Sequence, residues 1–563
     1  MMPDSKAGGY ISQVQFKNGE SIELLKNDIV VFVGPNNAGK SQCLRDIYAL
    51  AEGKQNGIVV SDITITKYDA PLEPLLNAIA QPQKSGSGNI YNVLNYQIGF
   101  YSHTEQNFKT SKKFDDLAKV FITQLDTSAR LTICNAVGSI TRSAPKQHPI
   151  HYAAYDSKYR KWLSDNFKKA FNIELIPNTQ YGSAIPLCMG KPVKLEDTFE
   201  DEQSRQEAYA EILATYKQVH QQGDGVKSFT GILLHLMLDY RCIFLIDEPE
   251  AFLHPPQAKI MGQVIGETLS DQQQAFISTH SEEIIKGLLE VCPERVKIVR
   301  VTRQEDENQL SILDNNDFAD VWNDPLLKYS NIMSSLFHKT VVLCESDSDC
   351  KMYSIIESYI KQQQGSYSET LFIHCGGKHR MAKISSALRA LKINVKLIPD
   401  IDVLNDENVF RGIVEAFGCI WDNVKTDYNM IVSNLHSPKE RIIRSTAKVN
   451  IDRVLDAKQD QYLSGKEIES IQNEVKVISK WKAIKSGGVA SLPAGDATNA
   501  FRRLDNTLKA AGIYIVPVGE LECFIKEVGG HGPEWSNAVL EQYPDLNDEV
   551  YSNIRNFIQG MNL

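Results

Sequence analysis

Cysteine is scarce in this chain of 563 residues, ten in all, and no two of them stand at C-x-x-C spacing. That argues against a structural zinc site and a disulfide scaffold. Several cysteines, such as Cys242 in "RCIFLID" and Cys344 in "VVLCESD", lie in apolar segments where the residue serves as a small buried hydrophobe. No apolar run approaches the ~20 residues of a membrane span, and the opening "MMPDSKAGGYISQ" lacks the apolar stretch of a secretory leader. The expectation is a cytoplasmic protein with no membrane contact. Positive charge is not in excess either: 60 basic against 70 acidic residues leave −10. A uniform nucleic-acid coat is excluded, but a local basic track is not, because binding depends on charge within ~8–10 Å.

What remains is ordinary globular material, 42% hydrophobic and 23% charged, long enough for two to four domains. Strands are expected in "YISQVQFKN" and "ESIELLKNDIVVFVG", the second ending at Gly34. There "GPNNAGKS" opens the helix "KSQCLRDIYALAEG", giving G-x-x-x-x-G-K-[ST] with a strand before it and a helix after it, the context of a P-loop. In that reading the main chain of Gly34, Asn36, Asn37, Ala38 and Gly39 cradles phosphates and Lys40 holds the β- and γ-phosphates. The Ser41 hydroxyl binds Mg²⁺.

Two hundred residues later "RCIFLIDEPEAFLHP" delivers Asp247 and Glu248 at a strand end, as a Walker B strand would. Asp247 is then the Mg²⁺ carboxylate and Glu248 the residue that polarises the attacking water. His280, ending "QQAFISTH", is placed to report on the γ-phosphate. Just before Walker B, "QQGDGVKSFTGILLHLML" puts Gly225, Lys227 and Ser228 where ATPases of the ABC type keep a signature loop that closes on the opposite subunit's nucleotide. That predicts an ATP-sandwiched homodimer or higher homo-oligomer, although the LSGGQ wording is absent. The bland alternative is a core helix capped by Ser228 or Asp224.

"GPNNAGKS", "LIDEPEAFLHP" and "ISTHS" in that order resemble the ATPase half of the OLD (overcoming lysogenization defect) family, relatives of SMC-type and ABC ATPases. The "DEPEAFLHP" wording, with Glu250 and His254 after the acidic pair, is the most specific of the three. The resemblance implies an ATPase domain over 1–330. Residues 60–220 within it, including the loop "QPQKSGSGNIYN" and the helix "SKYRKWLSDNFKKAF", form an insertion for packing or dimerisation. No Q-loop glutamine can be placed. A boundary is expected near 325–337.

A second α/β pattern follows. "HKTVVLCESDSDCKMYSIIESYI" reads as strand, acidic turn and helix, "TLFIHCGG" as a strand, "KHRMAKISSALRALK" as a helix and "NVKLIPDIDVLND" as a third strand. Asp400 and Asp402 at its end, taken as extended, would project side by side. Strand-Glu, strand-Gly-Gly and strand-Asp-x-Asp in this order resemble the TOPRIM fold, expected over 337–563 with a helical insertion at 407–510. The C-terminal ends of parallel strands lie along one edge, so Glu345, Asp400 and Asp402 should meet. The family reading adds Asp349 and Glu522 as metal ligands, beside Glu520, and a catalytic lysine, Lys378 or Lys526. Such a set could hold two Mg²⁺ or Mn²⁺ ions about 4 Å apart for phosphodiester cleavage. From His374 to Ile398 no acid occurs, and Lys378, Arg380, Lys383, Arg389, Lys392 and Lys396 form a candidate DNA-backbone track.

The resulting expectation is an ATP-dependent, metal-dependent DNA endonuclease of the OLD type. The resemblance extends this to bacterial antiphage defence of the Gabija or retron kind, with a helicase or reverse transcriptase as system partner. The alternatives are a non-cutting SMC-like clamp on DNA or protein, and a TOPRIM strand-transfer or primase-like enzyme.

Overall fold

The segment "LKND" decides the start of the fold. Its Asp28 carboxylate accepts the Leu25 amide at 2.8 Å, and that turn splits the expected second strand into Ser21–Glu23 and Ile29–Val33, which join different sheets. The computed structural model describes residues 7–563 apart from 56, 95, 192, 194, 196–200, 306, 314–323, 325–331, 436–442, 458–461 and 475–479. It divides into two compact units, Met1–Asp320 and Val321–Leu563, and much of the expected boundary segment lies outside the described residues.

The first unit is built on a six-stranded sheet. In spatial order its strands are Glu307–Ile312, Val296–Gln304, Ile29–Val33, Gln274–Ser278, Ile243–Asp247 and Ile122–Leu125. Five run parallel and only the first edge strand is antiparallel. Strands such as IVVFV and QAFIS are buried at every position, as a sheet covered on both faces requires. A three-stranded antiparallel sheet of Ser21–Glu23, Gly9–Phe16 and Val60–Lys67 shares its hydrophobic core. Within 60–220, "QPQKSGSGNIYN" is a β-hairpin, Pro82–Ser85 paired with Gly88–Val93, and not a loop. The basic aromatic helix is there as read, Ser157–Phe171, capped by Asp156.

The second unit has a parallel sheet in the order Thr370–His374, Thr340–Cys344, Asn394–Ile398. Helices Asp347–Gln363 and Met381–Ala390 make the crossovers. After these strands the chain returns to the sheet at one parallel bridge, Ile513 to Leu397, with Tyr514 and Val516 donating to Leu397 and Pro399 before a 3-10 turn at Leu521–Phe524. Between them, helices Glu407–Ala416, Trp421–Leu435, Arg444–Asp456, Gly465–Glu474, Lys480–Gly487 and Asp496–Ala511 succeed one another. Inside the inserted segment, "IKSGGVASLPAGD" begins as the end of a helix. Among the described residues no helix is long and apolar enough to cross a membrane.

Candidate functional site

Parallel strands end together, and at the first sheet's C-terminal edge they bring together segments far apart in the chain. Gly34 follows the buried strand Ile29–Val33 at φ 143°, and a Cβ there would lie 1.9 Å from the Val301 carbonyl oxygen, so only glycine passes. Asn36 and Asn37 are exposed, Asn37 with φ 59°, and Gly39 is the left-handed residue that starts helix Lys40–Ala51. Lys40 is buried and donates to the Gly34 and Pro35 carbonyls at 2.9 and 2.7 Å. Burial pulls its ammonium down to about 8, opposed by Glu248, Glu250 and Asp247. Ser41, half-buried, is the next residue of the same helix.

Register places Asp247 opposite Ser278, whose hydroxyl donates to the Asp247 carboxylate. Glu248 has φ 47°, which a residue with a Cβ rarely adopts, and its amide donates to the Ser278 carbonyl at 2.9 Å. His280 Nε2 stands 3.5 Å from Glu248 Oε1, and the His280 amide donates to Glu250 at 2.7 Å. Burial, then Lys40, holds His280 down to about 4, so it is neutral at pH 7. The fold thus gathers Lys40, Asp247, Glu248, Glu250 and His280. Ser228 departs from the expectation: it is fully buried in helix Asp224–Leu236 and cannot face a partner's nucleotide, whereas Gly225 and Lys227 are half-buried in its first turn. The helix cap is Gly223, neither Ser228 nor Asp224.

Two residues of this neighbourhood were not picked out from the sequence. Asn308, on the antiparallel edge strand, donates to the Ala38 carbonyl at 2.6 Å and so props the P-loop. Arg130, in helix Thr127–Thr132, is fully buried and donates Nη1 to the Asp247 carbonyl at 2.5 Å. Burial lowers its guanidinium, opposed by Asp247, Glu250 and Glu248.

In the second unit, Glu345 follows strand Thr340–Cys344, and Asp400 and Asp402 follow Asn394–Ile398. The extended geometry expected of Asp-x-Asp is not what occurs. Asp400 caps a 3-10 turn, Ile401–Asn405, that contains Asp402. The three carboxylates still converge, each offering an oxygen within 4.8 Å of the others. Burial raises Asp400 well above the ordinary aspartate range, with Asp349 and Glu345 adding to it; Glu345 is raised by burial, then by Asp402 and Asp349. Asp402 Oδ1 is buried with no hydrogen-bond partner. Crowded acids with an orphaned oxygen fit a divalent cation, which would reverse the repulsion.

The remaining candidates separate. Asp349 closes a capping box with Ser346, at 2.8 and 3.3 Å, and lies outside the three-carboxylate group. Glu522 belongs instead to a neighbouring group with Glu520 and His531. Lys378 Nζ is 3.2 Å from Asp402 Oδ2; Lys526 is exposed. A lysine that was not predicted, Lys485, reaches Glu520 at 3.3 Å and Asp402 at 3.8 Å. Burial alone would lower it, but Asp402, Glu520 and Asp400 prevail and hold its ammonium above the usual lysine range.

The expected basic track is partly spoken for. Lys383 pairs with Asp324, Lys396 donates to the Met561 and Asn562 carbonyls, and Arg389 lies 5.4 Å over the Phe417 ring. Arg380 lies beside Gly376, and Lys392 has φ 55°.

Comparison with known proteins adds the following. A family model described as an AAA ATPase domain matches residues 155–285. The Old nuclease of Escherichia phage P2 is 21% identical over 328 residues, 55% of this chain and 49% of the relative, so the chain spans about half the length of that relative. Solved structures include the SmcHead bound to the C-winged helix domain of ScpA, at 13% identity and TM-score 0.32, covering 54% of this chain and 98% of that one. The SMC head domain from Thermotoga maritima is 10% identical at TM-score 0.29, covering 54% and 99%. With the P-loop and the acidic loop at one sheet edge, the AAA ATPase domain match supports an ATPase in the first unit, and the chain is similar to the Old nuclease over about half of its length.

Proposed function

We propose that this protein is an ATP-hydrolysing, divalent-metal-dependent DNA endonuclease. An ABC-like ATPase domain over 1–330 regulates or positions, and a TOPRIM domain over 337–563 cuts. The observation that carries the second half is the convergence of Glu345, Asp400 and Asp402 at the C-terminal edge of a parallel sheet whose unit is separate from that of the P-loop. A P-loop site has no use for these acids, and an orphaned, buried Asp402 oxygen supports a cation ligand.

In this reading Lys40 and the P-loop amides would bind the ATP phosphates, Ser41 and Asp247 would hold Mg²⁺, and Glu248 would orient water. His280, neutral, contacts Glu248 and the γ-phosphate. In the second unit Glu345, Asp400 and Asp402, with Asp349 and Glu522 nearby, would hold Mg²⁺ or Mn²⁺. A divalent cation bound there supplies Lewis acidity and an activated water for phosphodiester hydrolysis. Lys378 and Lys485 fix the Asp402 carboxylate between them, and Arg380 and Lys392 offer non-specific phosphate contacts. Gly225 and Lys227 close on the second subunit of a homodimer. A role in antiphage defence beside a helicase or reverse transcriptase rests on the resemblance to the OLD family.

Cleavage of plasmid and linear duplex, run beside ATP hydrolysis on one preparation, tests this. Wild type should cut with Mg²⁺ or Mn²⁺ and stop with chelator. Asp402→Ala should lose cutting by about two to three orders of magnitude while hydrolysing ATP normally. Cutting by a folded Asp402→Ala protein would sink the nuclease reading. No cutting by wild type on any substrate would favour a non-cutting, DNA-binding clamp.

A further inference from the structure

The Walker B loop contains one peptide plane held from both sides. The unit joining Asp247 to Glu248 accepts from Arg130 Nη1 at its carbonyl, 2.5 Å away, and donates through its amide to the Ser278 carbonyl at 2.9 Å. Glu248 on the far side of that plane is at φ 47°, a conformation the plane's orientation imposes and an ordinary residue would leave. Ser278 belongs to the adjacent strand and is supplied by the sheet. Arg130 is not: it comes from a six-residue helix after the edge strand Ile122–Leu125.

The cost of placing that arginine is visible in its surroundings. It is fully buried, it spends Nη1 on a main-chain oxygen and Nη2 on Thr127 at 3.2 Å, and its Nε has no partner. Its helix and the residues just after it pack closely on the helix Asp224–Leu236. A Cβ on Gly231 would lie 2.2 Å from the Arg130 carbonyl oxygen, and the buried Cys134 thiol donates to the Lys227 carbonyl at 3.2 Å. A guanidinium is suited to the task, because its rigid fork holds a direction that a lysine ammonium cannot.

We propose that Arg130 is a positioning residue of the ATPase. It pins the Asp247–Glu248 peptide so that the Glu248 carboxylate is presented for hydrolysis, and the seating of Gly231 on its main chain sets where the guanidinium sits. This rests on the reading of Lys40 and Glu248 given above. Without Arg130 the peptide can rotate, Glu248 relaxes to negative φ, and its carboxylate swings off the line of attack. Nucleotide binding, which depends on the P-loop, is untouched.

The test measures Mg-ATP affinity by calorimetry, steady-state kcat and KM for ATP, and thermal unfolding on the full chain. Arg130→Gln should keep ATP affinity within about threefold and lose kcat by roughly tenfold or more with KM not raised. Arg130→Lys should recover part of the kcat. Gly231→Ala, whose added Cβ would meet the Arg130 main chain, should show the same split. In the Glu248→Gln background, Arg130→Gln should cost no further turnover, since the residue it positions is gone. Wild-type kcat in a folded Arg130→Gln protein would overturn the proposal, as would loss of affinity and turnover together, or additive losses in the double variant. Lys40→Ala and Glu248→Gln, run alongside, separate this from failure of the ATP-site reading: the first should abolish binding, and the second should keep binding and lower turnover to a small residual rate, against which the double variant is read.

Discussion

A lysine or an arginine acts at a site by where its head group ends, not by where it stands in the chain. Lys485 is 83 positions from Asp402 and ends a helix in the inserted segment, yet its ammonium lies between Asp402 and Glu520. Lys526, six positions from Glu520, is exposed. Lys485→Ala should therefore lower DNA cleavage by about 10- to 100-fold with ATP hydrolysis unchanged, the scale on which positioned charge acts. Lys526→Ala should do neither. A cleavage series on the two proteins decides it, and the assignment fails if the ranking is reversed. The strand, loop and helix around Gly34, Lys40 and Ser41 were legible because these residues are close in the chain and their spacing is local. Arg130, Asn308 and Lys485 were not, because each meets its partner only through tertiary packing. Their local contexts carry no motif.

Elements carry these residues to their places, and two glycines show how tightly. A Cβ on Gly519 would fall 2.0 Å from the Lys485 carbonyl oxygen, and one on Gly488 2.2 Å from that of Pro517. The helix Lys480–Gly487 can thus lie directly on the segment leading to Glu520. Gly519→Ala, at φ 115° besides, should push that helix end away and reproduce the cleavage defect of Lys485→Ala without altering ATP turnover. Gly519→Ala with wild-type cleavage would mean that this close approach is dispensable. The order of strands and helices was legible because buried strands and amphipathic helices have distinct periods. The geometry after Ile398 was not: Pro399 ends the strand and the chain turns immediately, so the two aspartates reach the site from a 3-10 turn rather than an extended strand.

For the whole molecule, acid is the predictable weakness. Burial holds His148 down to about 4 and His235 to about 3, Arg241 and His148 lowering the latter further, against about 6.5 in an unfolded chain. Between those values the unfolded chain takes up protons that the folded one refuses. Stability is then at its full value above pH ~6.5 and falls as pH drops, by up to ~1.4 kcal/mol per unit for each such histidine. Denaturant midpoints measured at pH 7.5, 6 and 5 should decline, and the decline should be shallower in a His148→Asn/His235→Asn protein even if that protein starts lower. Parallel curves would exclude these histidines as the cause.

The order of strands in the first sheet also has a consequence for synthesis. Ile29–Val33 is flanked only by Gln274–Ser278 and Val296–Gln304. The first of these leaves the ribosome some 245 residues later, roughly 12–50 s at ordinary rates of translation. For that interval an all-apolar strand has no neighbours in its sheet, and for most of it the loop after it has no Walker B strand to face. A nascent chain released before that point should aggregate or be held by a chaperone, and should retain no nucleotide on an ATP-agarose column. The capacity to hold ATP is acquired late, in one step, when residues near 300 emerge.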